Sequence, residues 1–371
     1  MPPSKSTPSL RRLIVPGLFV AGLFAVVFFR QPSTPVEADV WVLNGATMGT
    51  TYTVKVVPEG FDEAAKGPIG QQVKGVLDGV DLAMSTYKTD SEIERFNRSG
   101  TVPFEASADF VEVVAEAQRV ARLTSGAFDI TVGPLVDMWG FGPSGAQEVP
   151  DDQALEELVA LTGYEQVSVD VEARVLRKAR SDCRIDLSAI AKGFAVDEVV
   201  GLLESEGFAD FMVEVGGEVR CSGRNSAGEV WRIGIERPEV GGRTVQLAIP
   251  LANLALATSG DYRNFVIRDG RRISHTIDPR TGMVCDLAVL QQLVQDIVVE
   301  PMDHTFLNKD IEHFSNCVPT AENIALHICD LLRDPVAATG ASLHRVRLQE
   351  SPNNAAEVFA EAPRLDVIPD A

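Results

Sequence analysis

The period of the apolar positions divides the chain into three stretches. Residues 13–29 are apolar without a break and follow Arg11-Arg12, the pattern of a secretion signal or an N-terminal membrane anchor. No cysteine for lipid attachment and no clear Ala-x-Ala cleavage site precede the Arg30-Gln-Pro linker, which favours a retained anchor and an exported body. From Val40 the period becomes two: Val40–Leu43 and Gly45–Val57 read as a hairpin, with Gly45 and Gly49 allowing close backbone approach. Helical spacing then predicts helices over 70–86, 107–123 and 151–161, with Asp90 or Ser91 capping a short helix after the first. Two strands around 166–177 follow, and Phe211–Gly223 reads as strand, tight glycine turn, strand. Trp231–Glu236 is expected to continue that sheet, Thr244–Ile249 to stop at Pro250, and Leu254–Thr258 to add a last strand. Mixed sheets with packed helices make this an α+β chain.

One stretch carries more chemistry than its neighbours. Asp186-Leu-Ser-Ala-Ile-Ala-Lys-Gly-Phe-Ala-Val-Asp197 joins acidic and basic groups through small residues at a strand-to-helix turn. Ser188 is placed to cap a helix whose apolar face holds Ile190, Phe194, Val196, Val199, Val200 and Leu203. The amides of that first turn attract anions, and Lys192 adds a full charge, so the stretch suits a phosphate as well as it suits an ordinary capped core helix. Asp129 lies among small and aromatic residues at a helix end, a place that admits a planar ligand. Tyr87 and His275 are further candidates, His275 on a strand just before a proline turn, although a tyrosine is more often core and a lone histidine structural.

Composition removes several classes. The formal net charge of -20 argues against a broad phosphate-backbone contact, so no nucleic acid is expected, and 45% hydrophobic residues support a sizeable core. Cys183, Cys221, Cys285, Cys317 and Cys329 are odd in number and never form Cys-x-x-Cys, which indicates neither a disulfide framework nor a zinc ribbon.

Seven motifs occur in order: Gly45-Ala-Thr-Met-Gly-Thr, Ser85-Thr-Tyr, Ser125-Gly-Ala-Phe-Asp-Ile-Thr-Val-Gly-Pro-Leu, the Asp186–Asp197 stretch, Glu214-Val-Gly-Gly-Glu, Ala257-Thr-Ser-Gly-Asp-Tyr and His275-Thr-Ile-Asp-Pro-Arg-Thr-Gly. Together they closely resemble the bacterial FAD:protein FMN transferases over about residues 40–283. The resemblance implies a magnesium-dependent enzyme that cleaves the FAD pyrophosphate, transfers FMN to a threonine or serine of an acceptor protein and releases AMP. It implies that Met48, Tyr87, Ala127, Phe128, Asp129, Asp186, Lys192 and Ile277 line the FAD site, that the Ala189 carbonyl ligates magnesium and that His275 is the essential histidine. Members usually work on the outer side of the cytoplasmic membrane, which places this body on the periplasmic side of an inner membrane holding the N-terminal helix.

After Gly282 the resemblance ends, and with it the Asp and Thr, four residues apart, that ligate the same magnesium in the family. No aspartate from 284 to 371 has a threonine four residues later. Met283-Val-Cys-Asp-Leu, Pro301-Met-Asp-His-Thr, Val318-Pro-Thr-Ala-Glu-Asn and Val346-Arg-Leu-Gln-Glu350 instead resemble the C-terminal half of the 6-pyruvoyl- and 6-carboxy-tetrahydropterin synthases. That resemblance implies a proton-shuttling pair at Asp303 and His304 and a pterin anchor at Glu350, but the chain has no His-x-His for the synthase zinc.

The expected organisation is therefore an anchor or signal with its linker over 1–39, a transferase-like domain lacking its last element over 40–283, and an incomplete α+β half-domain over 284–371, joined by fusion near Gly282-Met-Val284. Three functions remain open at this point: FMN transfer, flavin binding without transfer, and a tetrahydropterin synthase with zinc drawn from His304, His313, His327, His344 and cysteines.

Overall fold

The computed structural model describes residues 39–360 except 61, 146–149, 237–244, 261–264, 269–270, 285–286, 340 and 352–353. The expected N-terminal helix lies outside these residues, as do Asp261, Tyr262 and Cys285. No helix among the described residues is long and apolar enough to cross a membrane.

Alternating side chains build the first hairpin, β1 (Trp41–Thr47) and β2 (Thr50–Val56), in full register from Trp41 opposite Val56 to Thr47 opposite Thr50. A Cβ on Gly45 would lie 2.8 Å from the Tyr52 ring, so the close approach expected of that glycine is a cross-strand aromatic packing on it. Next come α1 (Glu63–Met84), α2 (Glu92–Arg98), β3 (Phe104–Glu105), α3 (Ala108–Leu123), α4 (Gly133–Met138), α5 (Asp152–Val159), β4 (Val167–Asp170), β5 (Val175–Lys178) and α6 (Ala191–Ser205). Helix α1 starts seven residues before the expected 70: Asp62 caps it through the Ala64 amide, and burial of Ile69 to Met84 along one face carries it past Pro68. Ser91, one of the two capping residues expected, caps α2, and Ser107 and Asp151, expected as first residues of their helices, cap α3 and α5.

The body is completed by β6 (Phe211–Val215), β7 (Glu218–Ser222), β8 (Trp231–Glu236), β9 (Val245–Leu251), β10 (Leu254–Leu256), β11 (Phe265–Arg268) and β12 (Arg271–Ser274). The main sheet is antiparallel, in the order β1-β2-β6-β7-β10. Phe211, Val213 and Val215 face α1 and α6 in the largest core, while Met212, Val219 and Cys221 face the other side. That other side is covered by β8 and β9, whose Trp231, Ile233, Ile249 and Leu251 pack on it. Strand β8 therefore does not continue the main sheet; it forms a two-stranded ribbon with β9. Within a ribbon both strands are edges, which is why β9 runs on through Pro250, opposite Arg232, rather than stopping before it.

A third core joins α4, α5 and the β11–β12 hairpin through Leu135, Trp139, Leu155 and Ile273. After it, α7 (Leu287–Val294) and α8 (Ala321–Ala337) pack with the hairpin β13 (Arg345–Ser351) and β14 (Asn354–Phe359) around Val298, Ile328, Leu332 and Val336. This segment has a small core of its own and a sheet of only two strands.

Candidate functional site

Three turns supply the predicted residues. The β1–β2 turn, Met48-Gly49, has φ of 47° and 70°, the left-handed pair that suits a right-twisted hairpin but strains a methionine. Met48 is half-buried against the main core. Beside it lies the β6–β7 turn, where the Gly216 amide donates to the Thr51 carbonyl at 3.0 Å. Gly216 has φ of 56°, and a Cβ there would meet Thr50 Cγ2 at 2.7 Å and Lys192 Cδ at 3.1 Å. Only glycine fits between these neighbours.

Lys192, in the first turn of α6, donates to Glu218 Oε1 at 3.0 Å and to the Gly216 carbonyl at 3.3 Å. Thr258 Oγ1 donates to the Gly217 carbonyl at 3.3 Å, and the Gly217 amide to Glu214 Oε1 at 2.9 Å. A cation is thus fixed where an anion can reach it. Ser188 does not cap α6; its amide donates to Asp186 Oδ1 at 2.7 Å, and Ile190, without a side-chain bond, is the capping residue. The turn closes on Asp186 because a carboxylate two residues back competes well for that amide. Ala189, whose carbonyl was expected to hold magnesium, is exposed beside it.

Asp186 and Asp129 share a backbone link: the Asp186 amide donates to the Ile130 carbonyl at 2.7 Å. Asp129 is buried and accepts from the Thr131 amide at 2.8 Å and hydroxyl at 2.7 Å. Burial pushes its carboxyl up, against the opposing effect of those bonds. Phe128 is half-buried on the main core, and Ala127 is exposed. Tyr87 is 67% exposed, with its hydroxyl donating to the Phe141 carbonyl at 2.8 Å. Its pKa is raised first by burial of the phenol and then by the charges of Asp186 and Asp137, which puts Tyr87 and Asp186 within one electrostatic neighbourhood.

His275 follows the end of β12 rather than lying on it, exposed, with its ring edge-on to Phe141 at 6.1 Å. Phe141 therefore connects His275 to Tyr87. Ile277 packs with Leu135, Trp139 and Phe141 and bridges to Val284. Backbone bonding thus ties the Asp129 turn to Asp186, Phe141 lies between Tyr87 and His275, and Lys192 is separately joined to Glu218 and the β6–β7 turn beside the Met48 hairpin. Cys183 and Cys221 are buried, each with its thiol pushed up to about 11, so neither supplies a thiolate near neutral pH. A cleft of about 430 Å³ between α5 and Arg280–Met283 contains none of the predicted site residues.

Glu218 and Thr258 stand inside motifs, and Phe141 in the aromatic stretch Trp139–Pro143, without a role that the sequence assigns to any of them. Their partners lie 26, 41 and 54 residues away, so only the fold reveals the contacts. The signal available was position: both motif residues flank glycine turns.

The synthase residues are not assembled into a site. His304 Nε2 lies 3.8 Å from Asp303 Oδ1 on the surface, and Glu350 on β13 accepts from Asn354 Nδ2 at 2.6 Å. Among the described residues no three His, Cys, Asp or Glu side chains come together as a metal site. That finding also bears on magnesium: the described residues offer no cluster of acidic ligands.

The ApbE family model matches residues 48–294, and the 6-pyruvoyl tetrahydropterin synthase model matches residues 270–361. The FAD:protein FMN transferase of Haemophilus influenzae is 43% identical over 270 residues, 71% of this chain and 78% of that protein. The FAD:protein FMN transferase of Vibrio cholerae is 44% identical over 279 residues, 75% of this chain and 81% of that protein. The solved flavin transferase ApbE from Vibrio cholerae superposes with a TM-score of 0.60 at 43% identity, covering 67% of this chain and 79% of that one. With two thirds of its length under the family model and these relatives well above 30% identity, the chain belongs to the ApbE family.

Proposed function

We propose that the chain is an FAD:protein FMN transferase that moves FMN from FAD to a threonine or serine hydroxyl of an acceptor protein. The observation that carries this reading is the Lys192 ammonium held beside the two glycine turns, in a chain that relatives of that name match across about 70% of its length, 71% and 75% for the two described above. The acceptor oxygen attacks the FMN phosphorus, the bond from that phosphorus to the bridging oxygen breaks, and AMP leaves. The hydroxyl proton goes to the His275 imidazole, exposed where an acceptor can approach. Lys192 offsets charge on the departing phosphate. Met48, Phe128, Tyr87 and Ile277 supply apolar and aromatic surface for the flavin, with Ala127, Asp129 and Asp186 lining its polar edges.

Magnesium at the Ala189 carbonyl would find no cluster of three acidic, histidine or cysteine ligands among the described residues, and no step here runs through it. That same deficit favours a second reading, flavin binding without transfer. Residues 13–29 and Arg11-Arg12 support an anchored chain with its body on the extracytoplasmic side of the inner membrane. The family matches overlap over residues 270–294, which supports a junction of two families near Gly282–Val284.

The test is the full-length chain in detergent with FAD, magnesium and an acceptor protein, read by intact mass and by FAD retained after desalting. Attachment is expected, and the His275→Ala variant should retain FAD while losing transfer by about 10²-fold or more. FAD retention without attachment in wild type selects the binding reading, and neither result rejects both.

A further inference from the structure

Lys192 does not stand free in the site. Its Nζ lies 2.9 Å from Glu218 Oε2 as well as 3.0 Å from Oε1, and the Gly216 carbonyl is 3.3 Å away. Two of its three donors are committed among the described residues. Glu218 opens β7 directly after the Gly216-Gly217 turn, and its side chain is only 18% exposed. Its buried Oε2 has no hydrogen-bond partner other than this close charge contact, so both carboxylate oxygens face the one ammonium. Gly216 is itself held by its amide bond to the Thr51 carbonyl at 3.0 Å, and a Cβ there would collide with Thr50 and crowd Lys192. The carboxylate, the glycine carbonyl and the ammonium therefore form one fixed unit.

The geometry points to Glu218 as a positioning residue that holds Lys192 on the glycine turn and, as a fixed negative charge there, sets how tightly the anionic pyrophosphate of the substrate binds. This rests on the FAD reading given above. A lysine has a flexible four-carbon stem, and the ion pair removes that freedom before substrate arrives. The same carboxylate repels an incoming phosphate and competes for its cation. Glu218 thus sacrifices affinity for placement, and no proton changes hands.

Glu218→Gln and Glu218→Asp in the full-length chain separate these effects. In Glu218→Gln the Kd for FAD is expected to fall about threefold or more at low salt, with the gap closing at high salt. A brief pulse of acetic anhydride without ligand should label Lys192 faster in Glu218→Gln than in wild type, with other lysines unchanged, and Glu218→Asp should restore slow labelling. A misfolded variant would instead raise labelling at many lysines, and Glu218→Asp keeps the test usable there. Unchanged or weaker FAD binding by a folded Glu218→Gln, or unchanged Lys192 labelling, overturns the assignment alone. Wild-type protein that binds no FAD overturns the flavin reading, and this assignment with it.

Discussion

Burial sets the character of Asp129. Its carboxyl sits among Ile130, Thr131 and the Tyr164 backbone, and desolvation raises its pKa although Thr131 supplies two hydrogen bonds. A raised pKa means that the folded protein holds the proton more tightly than the unfolded chain does. The associated stability is full below the unfolded value and is lost as pH rises through the folded one. At neutral pH the charged form is therefore a cost to the fold. Asp129→Asn keeps an acceptor for the Thr131 amide without that charge, so it should be more stable than wild type at pH 7, with the gap closing as pH falls below the ordinary carboxylate range. Urea unfolding at pH 7 and pH 4 measures this, and an equal gap at both would remove the burial argument. A buried carboxylate that carries such a cost is a candidate for function as well as for capping the Thr131 turn. At this scale the sequence was informative in part: Asp129, Asp186, Tyr87 and Lys192 stand in motifs, and a backbone bond ties Asp186 to the residue after Asp129. Glu218 was not legible, because a carboxylate after a glycine turn acquires meaning only from the lysine 26 residues earlier that reaches it.

Elements were legible as far as local patterns decide them. Ser91, Ser107 and Asp151 each precede an amphipathic run, and each caps a helix, because a cap depends on four consecutive residues. Strand partners depend on the whole chain. The alternation in Trp231–Glu236 identifies a strand but does not say whether it extends a sheet or lies across it, and here it lies across. What pins the ribbon is Trp231, 6% exposed, whose indole nitrogen donates to the Ser222 carbonyl at 2.9 Å. Replacing it by phenylalanine keeps most of the buried area and removes the bond, a loss of about 1 kcal/mol. Amides of β8 and β9 should then exchange faster by hydrogen–deuterium mass spectrometry while those of β2 and β6 keep their protection. Faster exchange throughout the main sheet would mean that the ribbon and sheet open as one unit.

The packing of the whole molecule changes between Val284, which joins the third core of the body, and Leu290, which joins the cluster of the C-terminal segment. Before it, Gly282 is wedged among Leu135, Leu155 and Val159, and its carbonyl accepts the Trp139 indole at 2.8 Å, so the body is tied down up to that residue. Beyond it, residues 287–360 pack around Val298, Ile328, Leu332 and Val336, a cluster distinct from the three of the body. Because that cluster contains no residue of the body, the C-terminal segment is expected to open as a unit of its own. All three tryptophans, Trp41, Trp139 and Trp231, lie in the body, so their fluorescence reports its unfolding alone, whereas helical circular dichroism reports both parts. Leu332 is 4% exposed on α8, and its replacement by alanine should cost the tail about 2–5 kcal/mol. A segment with a two-stranded sheet and one long helix has little stability in reserve, so that loss should melt it outright. In the Leu332→Ala chain the dichroism should fall at low temperature in proportion to α8 while the fluorescence midpoint stays at its wild-type value. If the midpoint moves with the dichroism, the tail and the body unfold together as a single cooperative unit.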